Sequence, residues 1–202
     1  MKRTLLATCL LVAGLTGCGT DRDAAEAPSS TAPASAVPAA SGPPLPPPDP
    51  RVAGQVEKMK ALEYMVGQWH GRGTSFDRTG KRSEFEQTET VGYRLSGELL
   101  LIEGRGTHAE NTESLAFRAL ATARWDAATQ RYLWWAASRG SVLEVPLEVR
   151  PDGFTWSFSS PGFSFRNTAT FGADTWSEKS EQSFDGGLTW QPQVEMTLTR
   201  VP

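Results

Sequence analysis

The chain has 202 residues, room for one domain with extensions, and its 20 basic against 23 acidic side chains give a formal charge of −3. A mildly acidic chain lacks the positive surface that grips nucleic acid or anionic lipid headgroups. At the N-terminus, Lys2 and Arg3 precede an apolar run from Leu5 to Gly14 and then small residues, the pattern of a secretory signal peptide over 1–17. The apolar run is shorter than the roughly 20 residues that cross a bilayer as a helix, and no later segment is long enough.

"LTGC" at 15–18 resembles the bacterial lipobox. The resemblance implies cleavage before Cys18, a diacylglycerol on its sulfur and a third acyl chain on the new amine. Each buried methylene is worth about 0.8 kcal/mol and a single myristoyl chain binds only marginally, so three chains make a lasting membrane anchor. Gly19 follows Cys18 where Asp would retain the protein in the inner membrane, and resemblance to Gram-negative sorting therefore implies the outer membrane, facing the periplasm. Cys9 departs with the signal and Cys18 is taken by lipid, so neither a disulfide nor a thiolate zinc site is expected. Removing Lys2 and Arg3 takes 20 basic residues to 18 against 23 acidic ones, a charge of −5.

Residues 18–50 hold the lipidated Cys18 and a stretch of Ala, Pro and Ser ending in "SGPPLPPPDP". Such a segment has too little apolar bulk to offset the entropy of ordering and is expected to be disordered. Its Pro-rich end favours polyproline II at about 3.1 Å per residue, which suits a spacer between membrane and domain. Residues 51–202 remain as one domain, large enough to bury a core.

In "VAGQVEKMKALEYM", Val52, Val56, Met59, Leu62 and Met65 recur at spacings of three and four, which predicts a short amphipathic helix over 52–65 ended by Gly67. Strand-like runs follow at 68–76, 83–94, 98–107, 114–125, 130–138, 141–149, 153–158, 163–172, 174–184 and 190–200, separated by turn sequences such as "DRTGK", "RPDG" and "DGGLT". Connections this short permit only antiparallel neighbours. An up-and-down meander of about ten strands must expose two edges or close, and closure removes the edges. The fold class is thus all-β, an antiparallel meander barrel with one short N-terminal helix as its cap. An open sandwich is the alternative.

Alternation predicts the faces. Leu115, Phe117, Ala119, Ala121, Ala123 and Trp125 share one face, and Phe163, Phe165, Asn167, Ala169 and Phe171 another. Inward positions that shrink to Ala and Gly do not fill a ten-stranded barrel, which leaves space for a ligand; small residues that merely admit neighbouring aromatics are the other reading.

"LEYMVGQWHGRGTSF", 62–76, resembles the first strand of the calycin group, the lipocalins and fatty-acid-binding proteins, where Gly-x-Trp follows a short helix. The resemblance implies that Trp69, after Gly67, plugs the closed end, with Arg200 from the last strand stacked on it. "EFEQTETV", "LSGELLLIEGRG", "ATARWDAATQRYLWWAAS" and "DTWSEKSEQSFDGGLTW" extend the likeness to a bacterial family of lipocalin-like barrels of unknown function, distantly similar to nitrobindin-type haem barrels. Those barrels ligate iron through a late His. Here the histidines are His70, which alternates with Trp69 and so faces outward, and His108 in the polar "THAEN", so no haem or other cofactor is expected. Motifs for metal ligation and a Ser-His-Asp triad are missing as well. "SFDGGLTW", 183–190, resembles the Asp-box of sialidases, in which the box is a hairpin turn remote from catalysis, and a turn is the role expected here.

Polar residues on inward faces are the remaining candidates. Phe85, Gln87, Glu89, Val91 and Tyr93 alternate on one strand, and Trp176, Glu178, Ser180, Gln182 and Phe184 on another. Buried carboxylates need partners, and Arg105, on a face with Leu99, Leu101 and Glu103, could supply one. Three functions fit this pattern. The first is a binding module for a small hydrophobic or amphipathic molecule, gripped by Trp134, Trp156 and Phe165 and oriented by Glu89, Asn167 and Glu178. The second is an enzyme that uses a Glu of raised pKa as general acid or base. The third is a structural or partner-docking lipoprotein with a filled barrel. Oligomeric state is not legible.

Overall fold

The computed structural model describes residues 52–202. Residues 1–17, Cys18 and the segment to 50 lie outside the described residues. The architecture is a helix, α1 (Ala53–Met59), continued by a 3-10 segment (Lys60–Met65), and then ten strands: β1 (Gly67–Phe76), β2 (Arg82–Arg94), β3 (Leu99–His108), β4 (Asn111–Asp126), β5 (Arg131–Ser138), β6 (Ser141–Arg150), β7 (Gly153–Ser160), β8 (Phe163–Phe171), β9 (Thr175–Ser183) and β10 (Gln191–Val201). Each strand pairs antiparallel with the next, and β1 also pairs with β10, Trp69 opposite Arg200. The sheet is a closed up-and-down barrel.

The helix does not run as one α-helix over 52–65. Met59, Leu62 and Met65 are spaced by threes, the 3-10 repeat, so tightening the last turns brings all three into one line against the barrel, where each is fully buried. Carbonyls at a helix end have no partner within the helix. Here the Tyr132 and Tyr93 hydroxyls donate to the Lys58 and Met59 carbonyls at 2.6 and 2.8 Å. Arg200 donates to the Val66 carbonyl, and to the Tyr64 carbonyl at 3.0 Å. Gly67 stands one residue past the helical C-cap, Val66, with φ +138°, and a Cβ there would lie 2.6 Å from the Arg200 guanidinium. A side chain at 67 would therefore push Arg200 off its seat.

Trp69 closes this end. Its ring is 1% exposed, its Nε1–H donates to the Met65 carbonyl at 2.9 Å, and Phe171 and Trp176 meet it edge-on at 5.7 and 5.8 Å. The Arg200 guanidinium lies over the ring, 4.1 Å from its centroid.

At the opposite end, the hairpin turns β1–β2, β3–β4, β5–β6, β7–β8 and β9–β10 ring a mouth. The turn between β9 and β10 is built by Asp185, which accepts from the Thr189 backbone N–H at 2.9 Å and from its hydroxyl at 2.6 Å. Gly186 and Gly187 take φ of +76° and +90°. These donors hold the Asp185 carboxyl down at about 2. Its contribution is present above the ordinary aspartate pKa and is lost as pH falls through about 2. We expect Asp185→Ala to speed amide exchange at Thr189 several-fold while leaving the β1 and β10 ladders unchanged; equal protection of Thr189 in both proteins would refute that role.

The wall has one weak seam. β6 and β7 pair only from Leu147–Arg150 to Gly153–Trp156, and the ladder stops beside Pro146, which has no N–H to donate. Above it, Ser157 to Ser160 pair with β8 alone among the described strands.

Candidate ligand-binding lumen

The barrel encloses a cavity of about 490 Å³, within the size range of small-molecule sites. Small side chains make the room: Ala119 and Ala121 on β4, Ala136 on β5 and Gly104 on β3 all border it.

One wall is aromatic. Alternation along β5, β7 and β8 aims Trp134, Trp156 and Phe165 inward. The Trp134 and Trp156 rings stand 6.4 Å apart at 16°, Trp156 and Phe165 5.0 Å apart at 26°, and Phe158 continues the stack at 5.6 Å from Phe165. The rings stack on one another with near-parallel planes, a favoured arrangement of aromatic pairs.

Polar groups line the rest of the lumen and reach the aromatic wall itself, with Asn167 beside Trp156 across the β7–β8 ladder. Around the ring of ten strands, β2 lies five strands from β7, so Glu89 stands opposite Trp156. The Gln87 amide donates to Glu89 Oε1 at 2.7 Å, and the Trp176 Nε1–H to Glu178 Oε2 at 3.0 Å. Asn167 accepts from the Ser180 hydroxyl at 2.7 Å. Burial pushes the Glu89 carboxyl up to about 8, opposed by the Gln87 hydrogen bond and reinforced by the Glu178 charge. Burial likewise pushes Glu178 up to about 7, opposed by Trp176 and Asn167. Glu178 keeps some accessible area because it borders the hollow, yet protein surrounds it.

Six inward residues read from alternation, Glu89, Trp134, Trp156, Phe165, Asn167 and Glu178, thus line a single cavity. Other expectations need correction. β3 turns Leu100, Ile102, Gly104 and Gly106 inward, so Arg105 is exposed with Glu103 and pairs with neither carboxylate. Leu115 is 40% exposed because register shifts between β3 and β4 at Thr107 break the alternation, and Phe184 is 42% exposed in the β9–β10 turn.

Residues missed by alternation complete the site. A Cβ added at Gly104 would lie 2.7 Å from Glu89 Oε1, and one at Gly106 2.7 Å from Gln87 Oε1, so these glycines let the two side chains lie flat on the wall. Gln193 enters the lumen at a β-bulge between Pro192 and Val194; a proline inside a strand was the available signal. Arg139 reaches the lumen from the β5–β6 turn and donates to the Ala116 carbonyl at 2.7 Å.

The residues present do not fit a His-ligated haem. His70 is 53% exposed beside Glu86 outside the barrel, and His108 ends β3 without bordering the cavity. Among the described residues no cluster of three or more His, Cys, Asp or Glu could hold a metal ion.

Neither a protein-family model nor a curated protein matches the sequence. Solved structures do match. Rv2717c from M. tuberculosis superposes over 77% of this chain and 99% of its own, at 12% identity and a TM-score of 0.55. The S-type phycobiliprotein lyase CPES from Guillardia theta superposes over 73% of this chain and 93% of its own, at 12% identity and a TM-score of 0.51. At such identity the shared property is the fold. Both have a lipocalin-like barrel fold, and it is this fold that the chain shares with them.

Proposed function

We propose that the protein is a membrane-anchored binding module of the bacterial cell envelope that holds a small hydrophobic or amphipathic molecule in its lumen. The observation that supports binding is the cavity of about 490 Å³, lined by an aromatic wall and a few polar groups. Trp134, Trp156 and Phe165 grip the guest, and Glu89, Asn167 and Glu178 orient it. The anchor at Cys18 and the periplasm-facing address rest on the resemblance of 15–18 to a lipobox and of 1–17 to a signal peptide.

A neutral aromatic fluorophore, N-phenyl-1-naphthylamine, tests the site. We expect it to brighten on entering the wild-type lumen, and Ala119→Trp, which fills the hollow, to weaken its binding by about 10-fold or more. Unchanged binding by a natively folded Ala119→Trp would remove the lumen as the site.

A second reading is favoured by two lumenal carboxyls held near neutral pKa, the property of a general acid or base. Under that reading Glu89→Gln abolishes turnover of a bound molecule and leaves its retention unchanged.

A further inference from the structure

We infer that the natural ligand is a cation, a protonated amine joined to a planar apolar group, with its nitrogen at Glu89 and Glu178 and its flat body on the Trp134–Trp156–Phe165 wall. This rests on the lumen being the binding site and names the chemistry that the lumen selects.

Three observations carry it. First, the lumen holds two carboxyls and no counter-charge for either. β1 and β3, which flank Glu89, turn Trp69, Ile102 and glycines toward it, and β8 and β10, which flank Glu178, turn Asn167, Ala169, Met196 and Leu198. The charged group nearest in kind, Arg139, sits at the mouth and is engaged by the Ala116 carbonyl. Among the described residues, no ion pair includes Glu89 or Glu178, while the outer surface pairs its charges repeatedly, Arg166 with Glu181 at 2.8 Å for one. A pair of acids in an apolar cup without a cation is complementary to a guest that brings one.

Second, the acceptor Oε1 of Gln87, a residue 2% exposed, has no hydrogen-bond partner, and the Gln87 side chain lines the same hollow. Gln87 has already given its amide to Glu89, so a donor must come from elsewhere, and an ammonium carries up to three. Third, Trp134, Trp156 and Phe165 line the same cavity, and aromatic rings attract cations and stack flat groups. An anionic amphipath such as a fatty acid would meet two acids, and the basic group that borders the cavity, Arg139, lies at its mouth and is held by the Ala116 carbonyl.

Protons follow the amine. Burial holds both carboxyls above the ordinary range, so the empty lumen is largely protonated at pH 6, and an arriving ammonium displaces those protons. An alkylammonium stays charged to about pH 10, so its affinity rises as pH climbs through 7 to 8.

The test is titration calorimetry of the purified protein with three ligands that share one ring: 2-(1-naphthyl)ethylamine, 2-(1-naphthyl)ethanol and 1-naphthylacetate. We expect the amine to bind about 10-fold or more tighter than the alcohol at pH 8, with the acetate weakest, and amine affinity alone to climb from pH 6 to 8.5. Glu89→Gln and Glu178→Gln should each weaken the amine about 10-fold and leave the alcohol within about 2-fold. If the alcohol binds as tightly as the amine, or the amine shows no pH dependence, the cation assignment is overturned and lumenal binding survives. If none of the three binds and N-phenyl-1-naphthylamine also fails to enter, both readings fall together.

Discussion

Trp69→Ala should lower stability by about 3–5 kcal/mol, the range for removing a fully buried aromatic. The indole contacts two aromatic edges, donates to Met65 and carries Arg200 over its ring, so its loss opens a hole that three strands and the helical cap all border. In a barrel of this size that is roughly 6–20 °C in Tm. Trp69→Phe keeps most of the apolar area and loses the donor to Met65, and should cost about 1–2 kcal/mol. Arg200→Ala acts at the same end by releasing the Tyr64 and Val66 carbonyls. Thermal melts read all three, and a Trp69→Ala protein that melts within about 2 °C of wild type would show that the cap seals nothing.

The second large effect is a pH dependence that two conservative substitutions should erase. The Glu89 and Glu178 carboxyls stand at about 8 and about 7 in the fold, against an ordinary value of 4.5. In the window from 4.5 upward the folded chain binds more protons than the unfolded one, so stability falls as pH rises and levels off above about 8. Each tenfold gain in proton affinity on folding is worth about 1.4 kcal/mol, which makes the loss roughly 5 kcal/mol for Glu89 and roughly 3 kcal/mol for Glu178. Glu89→Gln and Glu178→Gln remove the ionisation and should flatten the decline, so each variant is more stable than wild type at pH 9 and near parity at pH 5. Asp185 works in the opposite sense and only at far lower pH, outside this window. Denaturant melts at pH 5, 7 and 9 decide it: parallel curves for wild type and the double variant would mean that these carboxyls stay hydrated and ordinary. A bound cation supplies the missing counter-charge and should reverse the decline.

Most of the architecture was legible in the chain because one barrel strand and one turn leave a strong local imprint. Phe85–Gln87–Glu89–Val91 and Phe165–Asn167–Ala169–Phe171 alternate cleanly, and a period of two permits only one buried face once a partner strand is present. The short separators required antiparallel neighbours, and ten of those close. β3 was not legible. Leu99, Leu100, Leu101 and Ile102 are apolar at both parities, so alternation offers no choice of face. The choice comes from pairing, which sets Gly104 opposite Glu89 and Ile102 opposite Ala121, and a residue with no Cβ is the neighbour that Glu89 can lie against. The split of the cap into α1 and a 3-10 segment has the same origin, since the barrel floor selects the line of Met59, Leu62 and Met65 over the helix's own preference. By itself the sequence determined the strands, the turns and the inward parity of most of them, because these are local consequences of side-chain chemistry. Only the tertiary structure decided that the acids face a hollow and that neither has an ion-pair partner, because a void and a missing partner are properties of all ten strands at once.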